Sequence, residues 1–401
     1  MAQILASAHR PFFSAAAAVW LGAAGFWAWQ LLGSAPHAAL LLPAGLLHGW
    51  SMSLGFMPLF IAGFALTTLP RWLGLPMLPA GAVFWLSAWL AALGWALLLV
   101  GAAMGWRGTA ALGAAMPALM LGDVSRRLWA ECRRHDARDS GHARGLALGL
   151  LVLALCQALA ALALLGEQVL LLRLAIHAGL NLGVAGVFAL ALQRLTPFLH
   201  QDGRRQPLLL IALLSGLALR AALDFATLLA YPPSALVAWT SATALLGLGI
   251  WLWRDAWAPE LAAARRTPLV AQLHLGYLWL GLSFLLGAAA LAAAAIDRPG
   301  WLGLAPQHAM SLGFMGSTLL AMVSRVSAVQ QGRSVAVDRP LWAMQALLQA
   351  TTLIRLVAEF SNHRGLLLAL AGGGFALLAL SWNCRYLPWF LSPNQTKRSN
   401  R

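Results

Sequence analysis

The sequence predicts an all-α, polytopic integral membrane protein, a bundle of about twelve transmembrane helices with both termini cytoplasmic. Three observations carry that reading. Of 401 residues, 61% are hydrophobic and only 10% charged, and mean hydropathy is +0.75, so the chain has too little polar surface to cover a soluble globule. Stretches of roughly 20 apolar residues recur along it, the length that crosses a hydrocarbon layer about 30 Å thick at about 1.5 Å per helical residue. Finally, the basic residues fall on one side of those stretches.

The stretches run approximately over 11–33, 46–69, 80–101, 109–130, 145–165, 168–192, 207–230, 234–253, 269–293, 304–328, 340–360 and 365–387. The first follows Arg10 without a small-residue cleavage site close behind a short core, and more spans follow, so it reads as a retained anchor. The fourth is the weakest, because Asp123, Arg126 and Arg127 lie in its last turns. The sixth carries Arg173, the seventh Arg220 and the eleventh Arg355. No loop is long enough to fold as a soluble domain. The chain therefore reads as one membrane domain over 1–401, with a basic loop at 126–144 and a short polar tail at 392–401.

A net charge of +15 raises the question of nucleic acid. The distribution answers it. Of the 27 Lys and Arg residues, only Arg107, Arg298 and Arg364 fall in loops after odd-numbered spans. Apart from Arg173, Arg220 and Arg355 inside spans, the rest cluster at the termini and around the loops after even-numbered spans. That is the positive-inside pattern, not an aromatic-interleaved nucleic-acid patch. The partner so predicted is the lipid bilayer, and nothing points to a soluble one. Cys132, Cys156 and Cys384 form no CxxC or CxxCH, so covalent haem, iron–sulfur clusters and zinc ribbons are unsupported. Nucleotide-loop and serine-elbow motifs are also lacking, and no motif defines a catalytic reaction.

Polar side chains inside hydrocarbon are the natural functional candidates, since each costs several kcal/mol unless paired or wetted. Arg220 with Asp224, and Arg355 with Glu359, sit four residues apart on one helical face, where each pair can neutralise itself. Among ten histidines, His9, His135, His142 and His200 are expected in solvent-facing cytoplasmic segments. His37, His48, His177, His308 and His363 are expected at the outer half, and His274 near the cytoplasmic side. Neutral imidazole binds haem iron, copper or zinc and relays protons near neutral pH, but it also serves as a hydrogen-bonded packing residue. Met52, Met57, Met310, Met315 and Met322 accompany these histidines as soft donors or as core filling.

The hexapeptide MSLGFM occurs twice, at 52–57 and 310–315, with His48 and His308 just before it. HGWSMSLGFMPLFIAGFALTTLPRWLG at 48–74 and HAMSLGFMGSTLLAMVSRVSAVQQGR at 308–333 resemble the two most recognisable segments of the NnrS family. QRLTPFLHQDG at 193–203 and QLHLGYLWLG at 272–281 resemble further segments in the expected order. The resemblance implies a twelve-span bacterial inner-membrane protein associated with haem and copper, denitrification and the response to nitric oxide and nitrosative stress. It implies retained roles for His48, His274, His308, Arg194, Arg325, Arg333 and the corner from Pro70 to Trp72. The chain departs from the pattern at Trp50, Gln193 and Gln330, where relatives carry histidine. One metal centre fewer, or none, is the consequence, and copper is the more doubtful of the two.

On this resemblance a non-covalent haem b would draw axial ligands from His48, His308 and His177, with His274, Met52 and Met310 as further metal donors. Nitric oxide is small, apolar and membrane-soluble, so such a site needs no polar channel. The alternative is a secondary transporter for a small solute, with Pro43, Pro58 and Pro117 interrupting helices. A haem–copper oxidase core lacks its adjacent His pair. At about 100° per residue, the two copies of MSLGFM do not present their histidines alike, so the repeat reads as a helix-packing surface used twice, with Gly55 and Gly313 in equivalent places.

Overall fold

The computed structural model describes residues 7–33, 40–76, 81–134, 140–199, 207–257, 268–333 and 337–392, without the side chains of 195–199. His37, His135 and His200 lie outside the described residues, as do parts of the 126–144 loop and of the 392–401 tail. Twelve long helices follow one another: α1 His9–Leu32, α2 Ala44–Trp72, α3 Ala82–Met104, α4 Arg107–Arg134, α5 Ser140–Leu165, then α6, which starts at Val169–Ala178 and resumes as Ala185–Leu199. The second six are α7 Pro207–Leu228, α8 Ala235–Ala256, α9 Pro268–Ala295, α10 Ala305–Gln330, α11 Arg339–Val357 and α12 Arg364–Leu391. No strand occurs among the described residues. In a bilayer every backbone group must find a partner within its own segment, which leaves helices as the default.

Ten of these helices are long and apolar enough to cross a membrane, and the fold is that of a multi-pass membrane protein. The two below that threshold are α4 and α11. The weakness of α4 was legible in Asp123, which pairs with Arg126 and Arg127 at 2.6 Å each. The weakness of α11 has a different cause: Gln345, Thr351, Thr352 and Arg355 are buried along it.

Helix ends follow local chemistry. Ser234 caps α8 by accepting from the Val237 amide, and Asp338 caps α11 by accepting from Leu341. Of the prolines expected to interrupt helices, Pro43 precedes α2 as its cap, Pro117 sits inside α4, and Pro58 lies just beyond a break in α2 described below.

The described chain divides into two compact units. The first comprises Met1–Leu190, Val326–Arg333 and Ala379–Arg401. Its centre is an aromatic cluster in which Trp20 stacks on Phe56 at 5.5 Å and Trp382 on Tyr386 at 4.9 Å, with Phe60 edge-on to Trp382. Asn383 donates to the Ala17 carbonyl and Arg10 to that of Ser392, fastening α12 to α1. His9, expected at a solvent-facing site, is fully buried between Phe13 and Phe390. The reason is that α1 begins within this cluster. Helices α3 and α4 cross at Gly94 and Gly113, where a Cβ on either would lie 2.5 Å from the other's carbonyl oxygen.

The second unit comprises Ala191–Arg325 and Ser334–Leu378. Here α8 packs on α9: Trp253 donates its indole N–H to the Leu278 carbonyl at 3.1 Å, and Tyr277 donates to Asp255 at 2.7 Å. On its other side α9 packs against α10, with Gly276 facing Ser317 and Thr318.

Candidate functional site

Three of the twelve helices are broken by a π-helical turn, in α2 at Ser51–Gly55, in α6 at Gly179–Val184 and in α10 at Ala309–Gly316. A histidine stands one to three residues before each of them: His48, His177 and His308. The spacing is every fourth span. Widened turns of this kind are rare and are frequently found at functional sites. In α2 the sequence supplies a cause, because Pro58 has no N–H to offer Leu54 and its ring crowds that carbonyl. Gly55 takes up the distortion at φ −82°, ψ −97°.

The histidine carbonyl is engaged by a nearby polar side chain in the first two cases. Ser51 donates to the His48 carbonyl at 3.1 Å and Asn181 to that of His177 at 3.2 Å. The His48 ring stacks on Trp27 at 4.0 Å. Within the first unit the π-turns of α2 and α6 pack on each other, a Cβ on Gly179 lying 2.5 Å from the Leu54 side chain.

His308 in the second unit has the most completely defined setting. Its Nδ1 lies 3.0 Å from the carbonyl of Leu304, one turn back. When Nδ1–H donates to that carbonyl, Nε2 carries the lone pair, the tautomer found in ligating histidines. Leu304 is itself held, since its amide donates to Glu359 at 3.2 Å. The Glu359 carboxylate also receives Arg355 at 2.7 Å and Arg364 at 3.1 Å. Gly303 has φ +48°, and a Cβ there would lie 2.5 Å from the Glu359 carboxylate, so the chain can pass only as glycine. Glu359 lies in the turn after α11. Burial alone would raise its pKa, but the Arg355 pair, the Leu304 amide and Arg364 outweigh burial and hold it below the usual carboxylate range.

The other expected residues lie as follows. Arg220 is buried, donates to Gln307 at 3.4 Å and sits over the Phe284 ring at 5.9 Å, with Asp224 acting on it electrostatically. His274 is buried in α9. Met310 is fully buried and its sulfur accepts from Ser283 at 3.9 Å, while Met52 is half-buried within the first π-turn. Arg194 and Arg325 are half-buried in α6 and α10. Trp50 is fully buried and donates to Gln157 at 3.0 Å. Gln157 in turn donates to the Ala114 carbonyl at 3.1 Å. The indole thus completes a hydrogen-bonded strut between α2, α5 and α4. Near the end of α10, Gln331 donates to the Trp389 carbonyl and Arg333 covers the Trp389 ring at 4.4 Å.

The packing role read from MSLGFM appears in both copies as glycine against tryptophan. A Cβ on Gly55 would meet Val19 and Trp95, and one on Gly313 would lie 2.5 Å from the Trp279 ring. What the repeat concealed is the third member. Leu182–Gly183 in α6 stands in the same relation to His177 as Leu54–Gly55 to His48 and Leu312–Gly313 to His308, within one or two residues. Arg194 and Arg325 lie equally far beyond His177 and His308. That signal was present in the sequence.

The helices define an all-helical, multi-pass membrane protein. The chain belongs to the NnrS family, described as NnrS protein, which matches residues 3–394. No curated protein matches the chain.

Proposed function

We propose that this protein is a haem-binding NnrS-type membrane protein that captures nitric oxide in the response to nitrosative stress. The observation that carries the reading is the recurrence of a histidine at the head of each π-turn, at His48, His177 and His308. The donor set favours haem over copper. Among the described residues there is no group of three or more His, Cys, Asp or Glu able to hold a metal ion. A haem iron, already held by four porphyrin nitrogens, asks the protein for only one or two axial imidazoles. His308 fits that demand through the Leu304 and Glu359 contacts that fix its ring. Ferrous haem supplies direct coordination of nitric oxide. The protein's own part is to orient the imidazole, keep the surroundings apolar and admit a gas that dissolves in the bilayer.

The experiment is an optical spectrum and metal analysis of the full chain purified in detergent. A Soret band is expected, lost or shifted in His308→Ala. Trp50→Phe is expected to keep it. Absence of the band in folded protein supplied with haem sinks the proposal. We place the protein in the bacterial inner membrane, with the basic loops cytoplasmic, on the charge pattern and the family.

A further inference from the structure

Helix α11 owes its low hydropathy to polar side chains turned inward, and one of these, Gln345, shares its unpaired setting with Gln272 of α9. The face of α9 formed by Gln272, Gly276, Trp279 and Ser283 runs along α10 in an antiparallel register. Ser283 meets Met310, Trp279 meets Gly313, and Gly276 meets Phe314, Ser317 and Thr318. Helix α11 lies along the same stretch of α10, with Leu348 at Gly316 and Gln349 at Ser317. Where the three helices meet, Trp279 donates to Gln349 at 2.6 Å and Gln349 donates to Ser317 at 2.9 Å. Each side-chain polar atom of that layer has a partner.

One turn further along, this is no longer so. Four residues back from Gly276 is Gln272, and four back from Gln349 is Gln345, which brings both to the level of Ala321 on α10. Gln272 is 0% exposed and Gln345 1%. Neither Nε2 nor Oε1 of either residue has a hydrogen-bond partner. Each amide brings two donors and an acceptor, and an unmade bond of this kind costs about 1–3 kcal/mol. Two such amides at one level, on helices flanking a third, would be a large and avoidable penalty if the space were dry. Leucine at either position would remove it. Internal water makes about three hydrogen bonds and occupies sites with two to four polar partners, a demand that two carboxamides meet together.

We infer that Gln272 and Gln345 hold buried water in the second unit, one turn beneath the Trp279–Gln349–Ser317 layer. The ligand class is water, and with the Ser317 hydroxyl it extends a polar seam along α10. Such a seam can pass protons by hydrogen-bond exchange, with no charged side chain taking part. The inference is independent of haem.

The test is radiolytic hydroxyl footprinting of the full chain in lipid nanodiscs in ¹⁸O-labelled water. Radicals formed from internal water mark the side chains beside it, however little bulk solvent they see. The expected result is several-fold more ¹⁸O on Trp279 and Met344, 9% and 7% exposed, than on Trp20 and Met57 of the first unit, 4% and 5% exposed, an excess beyond the ratio of those exposures. In Gln272→Leu/Gln345→Leu the excess is expected to vanish. Labelling of wild-type Trp279 and Met344 above the controls by no more than the ratio of their exposures overturns the inference, and this arm needs no variant to fold. Excess that persists in the double variant removes the assignment to these two amides.

Discussion

Glu359 joins Arg355, Arg364 and the Leu304 amide, and its carboxylate reaches His308 through one intervening residue. By holding the Leu304 amide it fixes the carbonyl against which the His308 ring is set. Its pKa is depressed in the folded state, so its contribution is fully present above the unfolded carboxylate value, about 4.3. It is lost as pH falls through the lower folded value. Thermal stability in detergent is therefore expected to be flat with respect to this group from pH 8 to 5 and to fall below about pH 4. Glu359→Gln should lower stability at neutral pH and flatten that acid limb; an unchanged limb would show that Glu359 is not the titrating group. Trp50 offers a second case at this scale. Trp50→Phe leaves the Gln157 oxygen without its donor and is expected to cost about 1–3 kcal/mol. Replacing Gln157 by leucine as well should recover part of that loss, and strictly additive losses in a double-mutant cycle would contradict the strut.

Among the helices, close approach decides which glycines matter. Gly94 and Gly113 face each other's carbonyls at a distance no Cβ tolerates, so Gly94→Ala must push α3 from α4 and is expected to cost about 1–3 kcal/mol. Gly247, in the middle of α8, has nothing within 4 Å. Gly247→Ala should be neutral or stabilising, since alanine is the better helix former by nearly 1 kcal/mol. The same contrast applies inside the π-turn of α10. Gly313→Ala meets the Trp279 ring, which Gln349 holds in place, whereas Gly316→Ala makes only ordinary contact with Leu348. Thermal unfolding midpoints of the four variants should separate into two pairs, and equal midpoints would contradict the packing described.

At the scale of the whole molecule, an even number of spans would return both termini to one side, and we propose from the charge pattern that this side is cytoplasmic. A fluorescent protein fused after Arg401 should fold and fluoresce, while alkaline phosphatase fused at Arg298 or Arg364 should be active; the reverse result would invert the topology. The spans, their order and the weakness of α4 were legible because a membrane helix satisfies its own backbone, so roughly 20 consecutive residues suffice to define it. The histidines were legible as residues, and the resemblance in the segments around His48 and His308 was legible as a family. The π-turns were hidden because a reading at 100° per residue assumes the regular helix that they interrupt. The burial of His9, the Trp50–Gln157 strut and the Glu359–Leu304–His308 chain were hidden for another reason: their partners lie on different turns or different helices. Sequence alone thus determined that this is a helical membrane protein of the NnrS type with a handful of candidate imidazoles. Tertiary structure decided which polar groups are satisfied, how the His308 ring is set and where two glutamines remain unpaired, because hydrogen bonding between helices depends on their register and rotation, and no single span encodes either.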